Sequence, residues 1–154
     1  MSRPVPHRPL LTIRDAVAAD IDAVVRLDRI DTGLAKPAYW GDIFARYVQA
    51  PRPERAFLIA EGCGEIIGFI VGEIRAWEFG SPPSGWVFAI HVAPDRRELG
   101  VGTRLLDDIC ARFRAAGANT VRTMVLRRDT LNLSFFRSQG LTAGPYIELE
   151  RGLE

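Results

Sequence analysis

Between Gly85 and Phe113 an apolar run, Trp86-Val87-Phe88-Ala89-Ile90-His91-Val92, passes through a short polar loop and Gly100-Val101-Gly102 into an amphipathic helix. Few arrangements suit such a stretch. The run reads as a central strand, apolar on both faces. After it, Val101, Leu105, Ile109 and Phe113 recur at helical spacing with Leu106 beside them, and Arg104, Asp107, Asp108 and Arg112 fall on the other face. A strand that turns through paired glycines into a helix is a device for holding an anion. Glycine lets the backbone approach a ligand closely, the N–H groups of the first helical turn point outward, and the helix dipole adds partial positive charge.

The rest of the chain supplies alternating helices and strands around this stretch. Leu10-Leu11-Thr12-Ile13 reads as an edge strand, after a basic, proline-containing leader at 1–8. Asp20 is placed to cap a helix carrying Ile21, Val24, Val25 and Leu27, which Asp31-Thr32-Gly33 ends. A second helix follows Pro37, with Trp40, Ile43, Phe44, Tyr47 and Val48 on one stripe. Ala56 to Glu61 and Glu65 to Ala76 form a hairpin joined by Gly62-Cys63-Gly64, and Gly68 and Gly72 in its second strand mark bulges or close backbone approach. Trp77 to Ser84 is a Gly/Pro loop. Past the central helix, Thr120 to Leu126 alternates as a strand. Leu131 to Gln139 is a short helix with Thr130 as its cap, and Ala143 to Glu150 is a last strand interrupted at Gly144-Pro145. The order β-α-α-β-β-β-α-β-α-β is that of a mixed α/β chain, and 154 residues without a linker or repeat predict one domain over 1–154.

Composition excludes several classes. Twenty basic and nineteen acidic residues give a net charge of +1, and no basic patch argues for nucleic acid. No window approaches the roughly 18 apolar residues of a membrane span. Cys63 and Cys110 form neither a disulfide framework nor a Cys/His metal cluster, which predicts a reducing cytoplasm and no metal. The glycine turn itself rejects the two commonest phosphate loops. Leu105 stands where a dinucleotide fingerprint needs its third glycine, and Gly-Lys-Ser/Thr is absent.

Val92-x-Pro94-x-x-Arg97-x-x-Gly100-x-Gly102, after an apolar strand and opening a helix, resembles the acyl-CoA loop of the GNAT superfamily of N-acetyltransferases. Arg97, Gly100 and Gly102 match its Gln/Arg-x-x-Gly-x-Gly/Ala core, and Phe135-Phe136-Arg137-Ser138-Gln139-Gly140-Leu141 resembles its late helix. The resemblance implies that the strand ending at Val92 splays from its neighbour. The pantetheine arm would pair near Ile90, His91 and Val92. The pyrophosphate of acetyl-CoA would rest on Arg97, Glu98, Leu99, Gly100, Val101, Gly102, Thr103 and Arg104, with Arg96 a further source of charge. Glu98 stands where the family often has another glycine. Phe136, beside the thiol, stands where it often has a tyrosine acid. Phenylalanine carries no proton to give, and losing a general acid typically costs on the order of 10²–10⁴ in rate. Ser134, Ser138 and Tyr146 are the hydroxyls nearby in sequence.

Direct attack by an amine also needs a base, because an alkylamine with a pKa near ~10 is protonated at neutral pH. Glu73, in an apolar strand beside two glycines, and His91, in the central strand, are the candidate catalytic residues, with Glu78 in the loop as a third. Asp28, Asp31, Trp40, Tyr47, Trp77 and Phe79 lie in segments that border the acceptor cleft in the family, and Trp77-Glu78-Phe79 is placed as a lid. The expectation is acetyl transfer to a primary amine of a small molecule or peptide. The alternative is an acyl-CoA-binding sensor of the same fold, which Phe136 keeps open. The edge strand and the last strand offer surfaces for a homodimer.

Overall fold

The computed structural model describes residues 10–154. The leader expected at 1–8 lies outside the described residues, as do the side chains of Glu98 and Leu99. Two compact units make up the chain, one ending at Thr123 and the other Met124–Glu154.

The first unit is a five-stranded sheet with helices on both faces. Its strands are β1 (Leu11–Asp15), β2 (Arg55–Gly62), β3 (Glu65–Arg75), β4 (Ser84–Val92) and β5 (Val121–Arg122), in that spatial order. Neighbours run antiparallel up to β4, and β5 lies parallel to β4. The helices are α1 (Ile21–Thr32), α2 (Pro37–Phe44) and α3 (Val101–Ala115).

Period-two alternation divides the strands between two cores. Phe57, Ile59, Phe69 and Val71 pack with Val24 and Leu27 of α1 and with Trp40, Ile43 and Phe44 of α2. The rings of Trp40, Phe57 and Phe69 meet edge-on or tilted, 5.2 to 6.0 Å apart. On the other face α3 lies close against the strands. A Cβ at Gly68 would meet Val101 and Leu105 at 3.3 Å, and one at Gly85 would sit inside the Phe113 ring. The close approach expected at Gly68 and Gly72 is first to the His91 and Trp86 carbonyls of β4 and then to α3, and the register also shifts between Val71 and Gly72.

Local chemistry moves several boundaries. The β2–β3 hairpin turns on two residues, Cys63 and Gly64, both at positive φ (53° and 75°), with Gly62 paired to Glu65. That is the turn whose twist matches its strands. The α2 stripe continues as expected, but the helix passes into a wider π-type turn at Ala45–Gln49 that buries Tyr47. Asp20 does not cap α1. Its carboxylate turns back to accept from Val17 N–H at 2.8 Å and from both terminal nitrogens of Arg14 at 2.7 and 2.9 Å.

The Arg14 hydrogen bond, opposed by burial, holds the Asp20 carboxyl below its usual range. A depressed folded-state pKa stabilises above the unfolded value of about 4, and that stability is lost as pH falls. Asp20→Asn is expected to cost about 2 kcal/mol at pH 7, discounted for the partial exposure of Arg14. Urea melts of both proteins at pH 7 and pH 3 should show the gap closing in acid.

The strand expected at Thr120 to Leu126 pairs only at Val121–Arg122, because the chain leaves β4 after Trp86↔Arg122. In the second unit, α4 (Thr130–Ser138) takes its cap from Asp129, not Thr130: the Asp129 carboxylate accepts from Asn132 N–H at 3.1 Å. Gly140 at φ 87° and the Leu141 N–H bond to Phe136 O close the helix. The expected last strand, Ala143 to Glu150, is not formed. Every residue from 142 to 154 is exposed and none lies in a strand. Pro145 lacks the N–H a ladder needs, and Gly144 offers no side chain to pack.

Candidate functional site

The end of β4 brings a backbone feature and a side-chain cluster together. β4 has β3 along its whole length but β5 only at Gly85 and Trp86. Thr123 Oγ1 donates to Val87 O at 3.0 Å where the two strands part. From there to Val92 one edge of β4 has no partner strand among the described residues, the splay expected between the central strands. Ala93 N–H donates to Ile67 O, so by alternation the backbone groups of His91 face β3, and those of Ile90 and Val92 face the unpaired edge.

Beyond Val92 a 3-10 turn at Pro94–Leu99 delivers the chain to Gly100 at φ 71°, ψ 20°. That left-handed conformation strains any residue with a Cβ. α3 starts at the next residue, with Val101 buried and its backbone at the helix mouth. First-turn N–H groups have no acceptor four residues back, so this end of α3 favours an anion. The Arg104 side chain stands exposed in the same turn, with no hydrogen bond or ion pair to a described residue, while its backbone N–H donates to Gly100 O. Arg96 lies 3.6 Å from Glu65 and 3.7 Å from Asp95. Arg97 is engaged in two bonds. Its Nη2 donates to Asp31 Oδ1 at 2.8 Å and its Nε to Val92 O at 3.4 Å.

His91 projects to the α1 face, its ring 5.1 Å from that of Phe69. Nδ1 lies 2.7 Å from Asp31 Oδ2, and Nε2 lies 3.3 Å from Asp28 Oδ1. Asp28 is buried. It accepts from Trp40 Nε1 at 3.0 Å and pairs with Lys36 Nζ at 3.0 Å. Asp28 and Asp31 occupy the last turns of α1, the end where the helix dipole disfavours anions. Cations and donors from outside the helix hold both: Lys36, Trp40, His91 and Arg97. The result is a continuous chain of charges from α1 through β4 to the turn before α3.

Glu73 is elsewhere. Phe69 pairs with His91 and Glu73 with Trp86, which sets the two candidate bases roughly 13 Å apart along the sheet. The Glu73 carboxylate lies 3.3 Å from Arg75 Nε and 3.6 Å from Arg55 Nε. Burial first, and the nearby Glu73 charge second, raise the pKa of the Tyr47 hydroxyl. Glu78 pairs with Arg75 at 3.5 Å. Beside it Trp77 and Phe79 are exposed, and both adopt positive φ (70° and 55°). Bulky side chains rarely sit there, and such strain gathers at functional loops. One anchor is Ser81, buried, accepting from Arg122 Nη1 at 2.7 Å.

Within the second unit, Phe136 is buried and its ring meets Phe135 at 5.2 Å. The Ser138 hydroxyl donates to Phe135 O at 2.6 Å and so is taken up by its own helix. Sequence reasoning named Asp28, Asp31, His91 and Arg97 separately but missed that they form one network, and it missed Lys36. The available signal was a pair of carboxylates three residues apart at a helix C-terminus, where they need partners.

Residues 21–141 match the family model described as "Acetyltransferase (GNAT) family". An N-alpha-acetyltransferase of Sulfurisphaera tokodaii is 32% identical over 101 residues, 61% of this chain and 57% of that relative. The match thus spans little more than half of the relative's length. Among solved structures, the aminoglycoside N-acetyltransferase AAC(6')-Iy in complex with CoA superposes with a TM-score of 0.82 at 18% identity, over 96% of this chain and 98% of that one. AAC(6')-Ih from Acinetobacter baumannii gives 0.77 at 13% identity, over 94% and 99%. A transcriptional regulator from Bacillus halodurans also gives 0.77, at 17% identity over 94% and 100%. At these identities the solved structures establish the fold. No helix among the described residues is long and apolar enough to cross a membrane.

Proposed function

The chain belongs to the acetyltransferase (GNAT) family, and from that membership we propose that it transfers an acetyl group from acetyl-CoA to a primary amine of a small molecule or peptide by direct attack. The observation that carries this reading is the unpaired edge of β4 running straight into Gly100 and the N-terminus of α3. An amide-bearing arm can add to that edge as a strand would, and a pyrophosphate can rest on the helix mouth. Ile90 and Val92 supply backbone groups to the arm. Gly100, Val101 and Gly102 supply the close backbone approach, and Arg104 supplies charge. Arg97 acts by fixing the turn to Asp31 rather than by meeting the phosphates. The two units work as one domain, a reading supported by a family match that crosses their boundary. Two free cysteines suit a reducing, cytoplasmic compartment.

His91 is the better base. Two guanidinium groups already match the Glu73 charge, whereas His91 sits beside the unpaired edge. With Nδ1–H given to Asp31, Nε2 takes the amine proton directly or through one water, and both carboxylates hold the imidazolium that results. Acetyl-CoA supplies the thioester carbonyl that the freed amine attacks, with the CoA thiolate as leaving group.

A second reading, an acyl-CoA-binding sensor, draws on Phe136, a buried side chain with no proton to give. Thiol release from acetyl-CoA with a panel of primary amines separates the two, run beside calorimetric binding of acetyl-CoA. Binding with amine-dependent release is expected. Binding without release for any amine favours the sensor, and absence of binding defeats both.

A further inference from the structure

Lys36 stands where a helix least favours a cation. It occupies the N-cap of α2, just before Pro37, at the positive end of the helix dipole. Its Nζ lies 3.0 Å from Asp28 Oδ2 and 3.4 Å from Oδ1. Asp28 has the opposite disadvantage. It is 2% exposed and sits in the last turns of α1, at the negative end. Trp40, four residues after Lys36, donates to the same Oδ2 at 3.0 Å. The start of α2 thus supplies a cation and a donor to one buried carboxylate. Oδ1 has a further neighbour, His91 Nε2 at 3.3 Å, the ring nitrogen opposite the one that meets Asp31. The charged groups facing the imidazole are therefore Asp28 and Asp31 of α1, with Lys36 paired to the first and Arg97 to the second. β3 faces it with the Phe69 ring.

We propose that Lys36 is a positioning residue for acetyl transfer: by matching the charge of buried Asp28, it leaves the His91 Nε2 lone pair free for the amine proton. The inference rests on His91 as the base. A carboxylate withdrawn from water and lacking a counterion favours the charged form of an imidazole beside it. Nε2 would then hold a proton before the amine arrived, and a base already protonated accepts nothing. With Lys36 in place, the Lys36–Asp28 pair is neutral as a whole. Nε2 gains its proton only as the amine N–H bond breaks, and Asp28 Oδ1 is already placed to hold the imidazolium that forms. Lys36 acts through Asp28 and not on the reacting atoms.

The pH dependence of kcat/KM, measured with one primary amine throughout, tests it. Lys36→Met should move the acid limb upward by about one to two pH units, with the rate recovered at higher pH. Lys36→Arg should restore the wild-type limb. Asp28→Asn should move the limb downward, because Lys36 then faces the imidazole without its counterion. Lys36→Met with Asp28→Asn removes both charges and should fall close to wild type. Nuclear magnetic resonance titration of the imidazole reads the same displacement without turnover. His7 and His91 are the two histidines, so a His7→Gln background leaves a single imidazole signal. If neither the limb nor the imidazole titration moves in Lys36→Met, the inference is overturned and His91 as base stands on its own test. If the imidazole titration moves and the limb does not, the base assignment fails and takes the inference with it. Should Asp28→Asn fail to fold, the two Lys36 variants decide alone.

Discussion

His91→Ala is expected to lower kcat for amine acetylation by on the order of 10²–10³, the usual worth of a positioned base. The affinity for acetyl-CoA should change little, because the His91 backbone faces β3, and Ile90 and Val92 address the unpaired edge. Stopped-flow thiol release and calorimetry on the same preparation measure both. Glu73→Gln is the control. Its carboxylate lies among Arg55, Arg75 and Tyr47, so its loss should show mainly in stability. If the histidine variant keeps wild-type kcat, the base is not His91. If Glu73→Gln loses the rate instead, the roles are reversed. Asp31→Asn falls between these cases, since it removes the charge and one of the two oxygens that serve His91 Nδ1 and Arg97 Nη2. It should therefore disturb kcat and acetyl-CoA binding together.

The second large effect is on stability. Gly85→Ala places a methyl group where the Phe113 ring lies, and neither the strand nor the helix can yield without disturbing the α3 face. A loss of about 3 kcal/mol is expected, which for a chain of this size lowers Tm by roughly ten degrees. The cause can be isolated. Phe113→Ala alone opens a cavity and destabilises by a similar amount. With Phe113→Ala already present, adding Gly85→Ala should cost almost nothing, because its clash partner has gone. Strictly additive losses in thermal or urea melts would mean that the glycine is there for some other reason.

Much of this protein was legible in the residues. The stripe of α3, the hairpin around Cys63 and Gly64, the left-handed stop at Gly33 and the glycine turn before α3 rest on local rules, and local rules hold wherever the chain folds. The misread boundaries come from competition between partners. Asp20 had a free N-terminus to cap, yet it found the guanidinium of Arg14, six residues earlier, and a charge-assisted bond outweighs a cap. The alternation of Thr120 to Leu126 describes a strand correctly but cannot say where its neighbour stops, and β4 keeps it only at Val121–Arg122. Ala143 to Glu150 shows the same limit, since pattern reveals a capacity to pair and not the presence of a partner.

The candidate site divides along the same line. The sequence by itself determined the strand, the glycine turn and the helix that follows it, because each follows from residues adjacent in the chain. It also excluded other nucleotide loops, through a missing third glycine and a missing Gly-Lys-Ser/Thr. Only the tertiary structure decided which charges meet. His91 lies sixty positions from Asp31, and Arg97 lies sixty-six from it. Only the packing of α1 across β4 brings them within 3 Å. Arg97 was read as a charge for phosphate, and in the fold its guanidinium bonds Asp31 of α1 and Val92 O. Electrostatic interaction falls with distance in space, whatever the distance along the chain, so no reading of spacing alone could have chosen between those roles.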